Sequence, residues 1–244
     1  MPAAIVKKKD GPSKDALRRS SADYARKAVA KMFEKSTIID NSANYPKFDY
    51  EELQLGQVLG KGGFGTVSEI RAFKIAEKIE KVTIKKSKDD AEVEKGSMES
   101  RSFVTQHCIR NGGDSRYAVK ILSPVVVDNP AHFLQGIIDM AIETRFLSDI
   151  EHPNIIKMRA TAKCDPTSAA YFIAMDRLYD TLEKRLQLWE GRVGRTTGFA
   201  ARLNDRSGKK AAALYEERIV CAFDLSAALE YLHKVRKDGS SYSC

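Results

Sequence analysis

Leu59-Gly60-Lys61-Gly62-Gly63-Phe64-Gly65-Thr66-Val67 is the most informative run in the chain. Gly60, Gly62 and Gly65 fill a G-x-G-x-x-G pattern, and that pattern has two physical uses. In a dinucleotide fold the third glycine opens a helix whose N-terminus receives a pyrophosphate. In the other use the glycines join two strands, and their bare amides approach anionic oxygens without side chains in the way. The flanks separate the two. Leu53, Leu55, Val58 and Leu59 precede the glycines, while β-branched Thr66 and Val67 and then Ile70 follow in alternation, with no helical period. The pattern predicts strand, glycine turn, strand.

Towards the C-terminus, residues 74–113 are rich in Lys, Glu, Asp, Ser and Gly and read as a surface insertion. A strand follows at Tyr117-Ala118-Val119-Lys120-Ile121-Leu122. A proline-bounded link from Pro124 to Pro130 leads into a helix with Phe133, Ile137, Met140, Ala141, Ile142 and Leu147 on its apolar face. That helix stops near His152-Pro153, and strands are expected at residues 155–160 and 171–175. Beyond Leu178 a short helix carries Leu182, Leu186 and Trp189, and residues 191–210 read as a second insertion. The final helix is expected to bury a stripe of Ile219, Ala222, Phe223, Leu225, Ser226, Leu229 and Leu232. Its pattern ends at His233, and residues 234–244 read as a divergent tail.

The chain has 244 residues, enough for one to two domains, and 43% of them are hydrophobic, which supports a real core. The net charge of +8 is uneven: residues 1–47 hold 11 Lys/Arg against 5 Asp/Glu, and the remainder 30 against 28. The basic character therefore belongs to the N-terminal tail, and no nucleic-acid-binding core is implied. Residues 1–13 are expected to be disordered. Residues 14–35 can form a basic helix with Leu17, Tyr24, Ala28 and Met32 on one face. A solvated tail is the plain reading of 1–47. A nuclear address, a contact with acidic membranes and a phosphorylation site at Arg18-Arg19-Ser20-Ser21 are the sharper ones. Cys108, Cys164, Cys221 and Cys244 have neither zinc nor disulfide spacing, which suits a reducing cytoplasmic or nuclear location. No run approaches the ~20 apolar residues of a membrane span, and no signal-peptide core follows Met1.

At this point the chain resembles the eukaryotic protein kinase family. The resemblance rests on five ordered motifs: the glycine loop, Ala118-Val119-Lys120, the helix with Ala141-Ile142-Glu143-Thr144-Arg145-Phe146-Leu147, His152-Pro153-Asn154-Ile155-Ile156, and Phe172-Ile173-Ala174-Met175-Asp176-Arg177-Leu178. Asp224 to His233 resembles the helix before that family's catalytic loop. The implied fold is α+β: a kinase-like small lobe over 48–178, made of a twisted antiparallel sheet plus one helix, then the first helices of a large lobe over 179–233.

The resemblance implies a function, ATP binding and Ser/Thr-type phosphoryl transfer, and a role for each matching residue. Lys120 would pair with the α- and β-phosphates, and Glu143 would hold Lys120. Gly60, Lys61, Gly62, Gly63, Phe64 and Gly65 would cover the phosphates. Val67 and Ala118 would enclose the adenine, and Leu59, at the start of the glycine loop, belongs to the nucleotide-binding set. Met175 takes the gatekeeper position, Asp176 and Leu178 would offer backbone groups to the adenine edge, and Asp180 would approach the ribose. Leu147 and Met158 fit spine positions and fit ordinary core packing equally well.

The departures carry expectations too. The family's His-Arg-Asp loop and Asp-Phe-Gly motif do not follow Leu232-His233; Arg236-Lys237-Asp238 imitates the first too early and without its Leu and Asn. The Mg2+ that accompanies ATP in the family would then lack its protein ligands here. The expectation is an incomplete, inactive kinase fragment, with a non-catalytic nucleotide-binding or pseudokinase-like interaction module as the alternative. The final helix would expose Ile219, Phe223 and Leu232, a surface suited to a protein partner.

Overall fold

A computed structural model describes residues 13–74, 98–196 and 207–237. In chain order its elements are α1 (Lys14–Met32), β1 (Lys47–Phe48), β2 (Leu53–Lys61), β3 (Gly65–Phe73), α2 (98–106), β4 (Tyr117–Leu122), α3 (Pro124–Asp128), α4 (Pro130–Asp149), β5 (Met158–Ala162), β6 (Phe172–Asp176), α5 (Leu182–Thr196) and α6 (Lys209–Lys237). The protein is α+β, with one six-stranded sheet in the order β1-β5-β6-β4-β3-β2. β1 runs parallel to β5, and every other neighbouring pair is antiparallel. The sheet is thus mixed rather than antiparallel, and more than one helix packs on it. Two residues, Lys47 and Phe48, are too few to show strand alternation in a sequence.

Residues directly opposite each other in a ladder project to one face of the sheet. One face carries the rows Val67–Lys120–Ile173 and Glu69–Ala118–Met175. α4 covers it. Asn129 starts α4 by accepting from the amides of Ala131 (3.1 Å) and His132 (3.2 Å), with Pro130 at the first helical position. Gly136 lies so close to the sheet side that a Cβ there would stand 3.0 Å from Leu122 Cδ2 and 3.1 Å from Val126 Cγ1. Phe133, Ile137 and Met140 are buried beside it.

The opposite face carries Val119 next to Ala174 and Ile121 next to Phe172. The chain around β1 and α2 covers it. The Tyr50 ring lies 6.3 Å from that of Phe172. Arg101 of α2 donates to the Lys47 carbonyl (2.8 Å) and to Glu52 (2.6 Å), and lies 4.6 Å over the Phe48 ring. Just beyond α2, the buried Cys108 thiol donates to the Ile70 carbonyl at 3.3 Å. The stretch read as a surface insertion therefore ends in a core-covering element. Its polar sequence hid this because only Val104 and Cys108 carry the burial there. Residues 75–97 lie outside the described residues.

The N-terminal stretch is also more than a solvated tail. α1 is helical as expected, but it lies on α4 and buries Ala25 completely, while Leu17, Tyr24 and Met32 stay exposed. A small residue lets the two helices approach, and it carries little apolar signal. Residues 1–12 lie outside the described residues.

α5 and α6 form a helical hairpin closed by Trp189, which is buried and donates to Glu217 at 3.1 Å. α5 runs to Thr196, six residues into the expected second insertion, and α6 runs to Lys237, past His233. Residues 197–206 and 238–244 lie outside the described residues. The hairpin meets the sheet domain through the 151–154 turn: Asn154 donates to the Asp224 carbonyl at 2.9 Å, and the His152 and Tyr231 rings lie 5.0 Å apart. Among the described residues, α6 buries only Leu214 and Ala228. The apolar stripe is exposed, with Phe223 at 71% and Ile219 at 50%, as expected for Ile219, Phe223 and Leu232 on a helix without the rest of a large lobe. Among the described residues no helix is long and apolar enough to cross a membrane.

Candidate functional site

Lys120 sits mid-strand in β4, beside fully buried Val119, so its backbone is fixed by the sheet. Glu143 stands on the face of α4 turned to that sheet, and its carboxylate Oε2 accepts from Lys120 Nζ. The two side chains keep 31% and 30% of their surface. A partly exposed pair adds only about 0–1 kcal/mol to stability. The fold does not need this pair to stand, yet two separate elements bring it together.

The β2–β3 hairpin ends at its glycines beside this pair. The Gly62 amide donates to the Gly65 carbonyl at 2.8 Å and closes the turn. The Phe64 carbonyl accepts from the Ser123 amide at 3.1 Å, which ties the turn to the start of α3. Only Gly65 is demanded by packing: a Cβ there would stand 2.8 Å from the Ile121 carbonyl oxygen. A Cβ on Gly60 or Gly63 would meet nothing within 4 Å, and one on Gly62 only the Gly65 carbonyl at 3.8 Å. None of them has a positive φ; the described glycines that do are Gly113 (84°) and Gly208 (67°). Neither backbone conformation nor internal packing explains glycine at 60, 62 and 63. What their bareness leaves is free approach to the turn from outside.

Thermal unfolding of two alanine variants checks this division. Gly65→Ala is expected to cost about 1–3 kcal/mol, because the new methyl meets backbone that cannot yield cheaply. Gly63→Ala is expected to stay within about 1 kcal/mol of the parent.

The remaining expected site residues divide. Val67, Ala118, Lys120 and Met175 share one sheet face, with Ala118 and Met175 buried. Leu59 and Leu178 are exposed, Leu178 at 66%. The Asp176 carboxylate accepts two bonds from Arg159, each 2.8 Å, and its amide donates to the Lys157 carbonyl at 3.0 Å. The amide of Asp176 is thus spent on the sheet. Asp180 accepts from the Thr181 amide (2.9 Å) and from Arg185 (2.7 Å), so its carboxylate serves the start of α5.

Sequence reasoning missed Glu69. It is buried on the same face, and its carboxylate accepts from Arg71 (2.8 Å), the Gln57 amide (3.2 Å) and Arg177 (2.8 Å). The Arg71 hydrogen bond, helped by Arg177, holds its carboxyl below the ordinary glutamate range. Glu69 and Arg177 thereby link the glycine hairpin to the segment after β6. Tyr179 continues that link: its ring lies 4.8 Å from the Arg110 guanidinium and 4.9 Å from that of Arg177, and its hydroxyl donates to the Ser115 carbonyl at 2.7 Å. Nothing in the linear pattern marks these partners, which lie far apart along the chain.

Two further observations bound the chemistry. Burial pushes the Cys108 thiol up to about 11, so it is a protonated donor rather than a nucleophile. Among the described residues no group of three or more His, Cys, Asp or Glu side chains is placed to hold a metal ion. Comparison with protein-family models finds no match, and comparison with curated proteins finds none.

Proposed function

We propose that this chain is an ATP-binding domain of the protein-kinase type, with Ser/Thr-directed phosphoryl transfer as its line of descent. The observation that carries the reading is the Lys120–Glu143 pair beside a hairpin whose Gly60 and Gly63 have open Cβ positions. A fixed ammonium and bare backbone amides are what a triphosphate needs, since its charge is met without steric obstruction. In this reading Lys120 holds the α- and β-phosphates, and Glu143 keeps its ammonium in place. Gly60, Lys61, Gly62, Gly63, Phe64 and Gly65 cover the phosphates. Val67 and Ala118 enclose the base, Leu59 and Met175 border it, and Leu178 offers backbone groups to its edge. Mg2+ bound to the nucleotide would neutralise charge on its phosphate oxygens, and among the described residues no group of three or more His, Cys, Asp or Glu side chains is placed to hold it.

Thermal unfolding of the whole chain with and without Mg2+–ATP tests the cradle. Ligand at 100 times its Kd stabilises by about 2.7 kcal/mol. That rise is expected in the parent and should vanish in Lys120→Met. Absence of any rise in the parent overturns the reading. A second reading, a nucleotide-binding interaction module without transfer, is favoured by the exposed apolar face of α6. Both readings expect binding without transfer of the γ-phosphate, because the catalytic and metal-binding motifs of the family do not follow His233; capture of a partner that is lost in Phe223→Asp but unaffected by Lys120→Met favours the module.

A further inference from the structure

Glu143 can meet Lys120 only if α4 is held at the right height over the sheet. The ion pair itself is partly exposed, its side chains keeping 31% and 30% of their surface, and is too weak to do this alone. The N-terminal segment grips α4 from the other side at three levels. Near its start, Arg18 of α1 donates to the Val127 carbonyl (3.3 Å) and lies 3.5 Å from Asp128. At its last turns, Arg145 donates through Nε (3.3 Å) and Nη2 (3.1 Å) to the Ile38 carbonyl. The same guanidinium lies 4.3 Å over the Phe33 ring, whose edge meets Phe146 at 5.5 Å. At the C-terminus, the Asn41 amide donates to Ser148 Oγ and its side chain to Asp149, both at 3.1 Å. Phe33 and Ile38 are buried by these contacts.

Two residues advance about 200° around an α-helix, so Glu143 and Arg145 project to nearly opposite sides. One reaches the sheet, the other the N-terminal segment. We propose that Arg145 is a positioning residue. Seated on Phe33 and on the Ile38 carbonyl, it braces α4 so that Glu143 engages Lys120. The inference rests on the nucleotide reading above for its functional consequence, and on the geometry alone for the brace.

The test uses the whole chain and Arg145→Met, which keeps the aliphatic length and removes both donors. Amide hydrogen exchange is expected to quicken in residues 140–149 of α4 while β4 keeps its protection. Mg2+–ATP affinity is expected to fall about three- to tenfold. The same substitution in a Glu143→Gln background is expected to cause no further loss, because the group being positioned has already gone. Unchanged exchange in α4 overturns the proposal. So does an affinity loss of equal size in both backgrounds. If the parent binds no Mg2+–ATP, the nucleotide reading fails, and the exchange comparison alone decides the brace. If Arg145→Met does not fold, Phe33→Leu carries the same comparisons with one side of the seat reduced.

Discussion

Replacing Glu69 with alanine is expected to destabilise the protein by about 3 kcal/mol, measured as a shift in urea midpoint at unchanged slope. The cause is what stays behind. Arg177 keeps only 11% of its side-chain surface, and Glu69 is its carboxylate partner. The Gln57 amide loses its acceptor as well. A charge left unpaired away from water costs more than the pair gained when it formed. The pH dependence carries the same signature. The folded-state pKa of Glu69 is depressed, so the unfolded chain takes up the proton first as pH falls. Its contribution is therefore complete above the ordinary glutamate pKa of about 4.3 and fades as pH drops through the lower folded value. The stability gap between the parent and Glu69→Gln should be flat above about pH 5 and should close on the acid side. A gap that widens as pH falls would contradict the pairing.

Phe172→Ala is expected to cost about 3–5 kcal/mol, the usual price of emptying a large buried aromatic site. Phe172 has no exposed surface and lies in β6, between β5 and β4. It pairs with Ile121 across the ladder and meets the Tyr50 ring, so three stretches of chain close on one side chain. Rigid strands on both sides prevent collapse into the vacated space. Domains of this kind have only about 5–15 kcal/mol in total, so the variant should unfold at much lower urea. Phe223→Ala is the matched control. The same side chain, 71% exposed on α6, should change the midpoint by less than about 0.5 kcal/mol.

These two phenylalanines also show where the sequence was legible. Phe172 sits in a short apolar run beside a matching run in β4, and both strands were readable from their residues. The glycine hairpin was readable because Thr66 and Val67 are β-branched and start no helix. α4 was readable from its apolar period, yet α3 inside the preceding link was not, since Val125-Val126-Val127 resembles a strand and only Ser123 and Pro124 mark a helix start. Phe223 was read both as part of an apolar stripe and as exposed without the rest of a large lobe, and only the structure decides between the two. Apolar period signals a face that wants cover, and it cannot say whether cover is present. The linear pattern carries no signal for Arg101 or Arg145, because each meets a backbone carbonyl and an aromatic ring supplied from far away in the chain. In the site, Lys120 and Glu143 could be picked out one by one from their motifs. Glu69 could not, because its importance comes entirely from Arg71, Gln57 and Arg177 converging on it.

The parallel pairing of β1 with β5 bears on the order of events during synthesis. Lys47 pairs with Thr161, and Arg145 reaches back to Ile38, each across more than a hundred positions. Contacts so distant along the chain form late, because the intervening loop must close before they are rewarded. On the ribosome, residues 13–48 emerge well before β5, yet their docking surface does not exist until the chain has been made through β5. This segment thus settles long after it is made. Until then the outer side of α4 and the edge of β5 stay open to other chains.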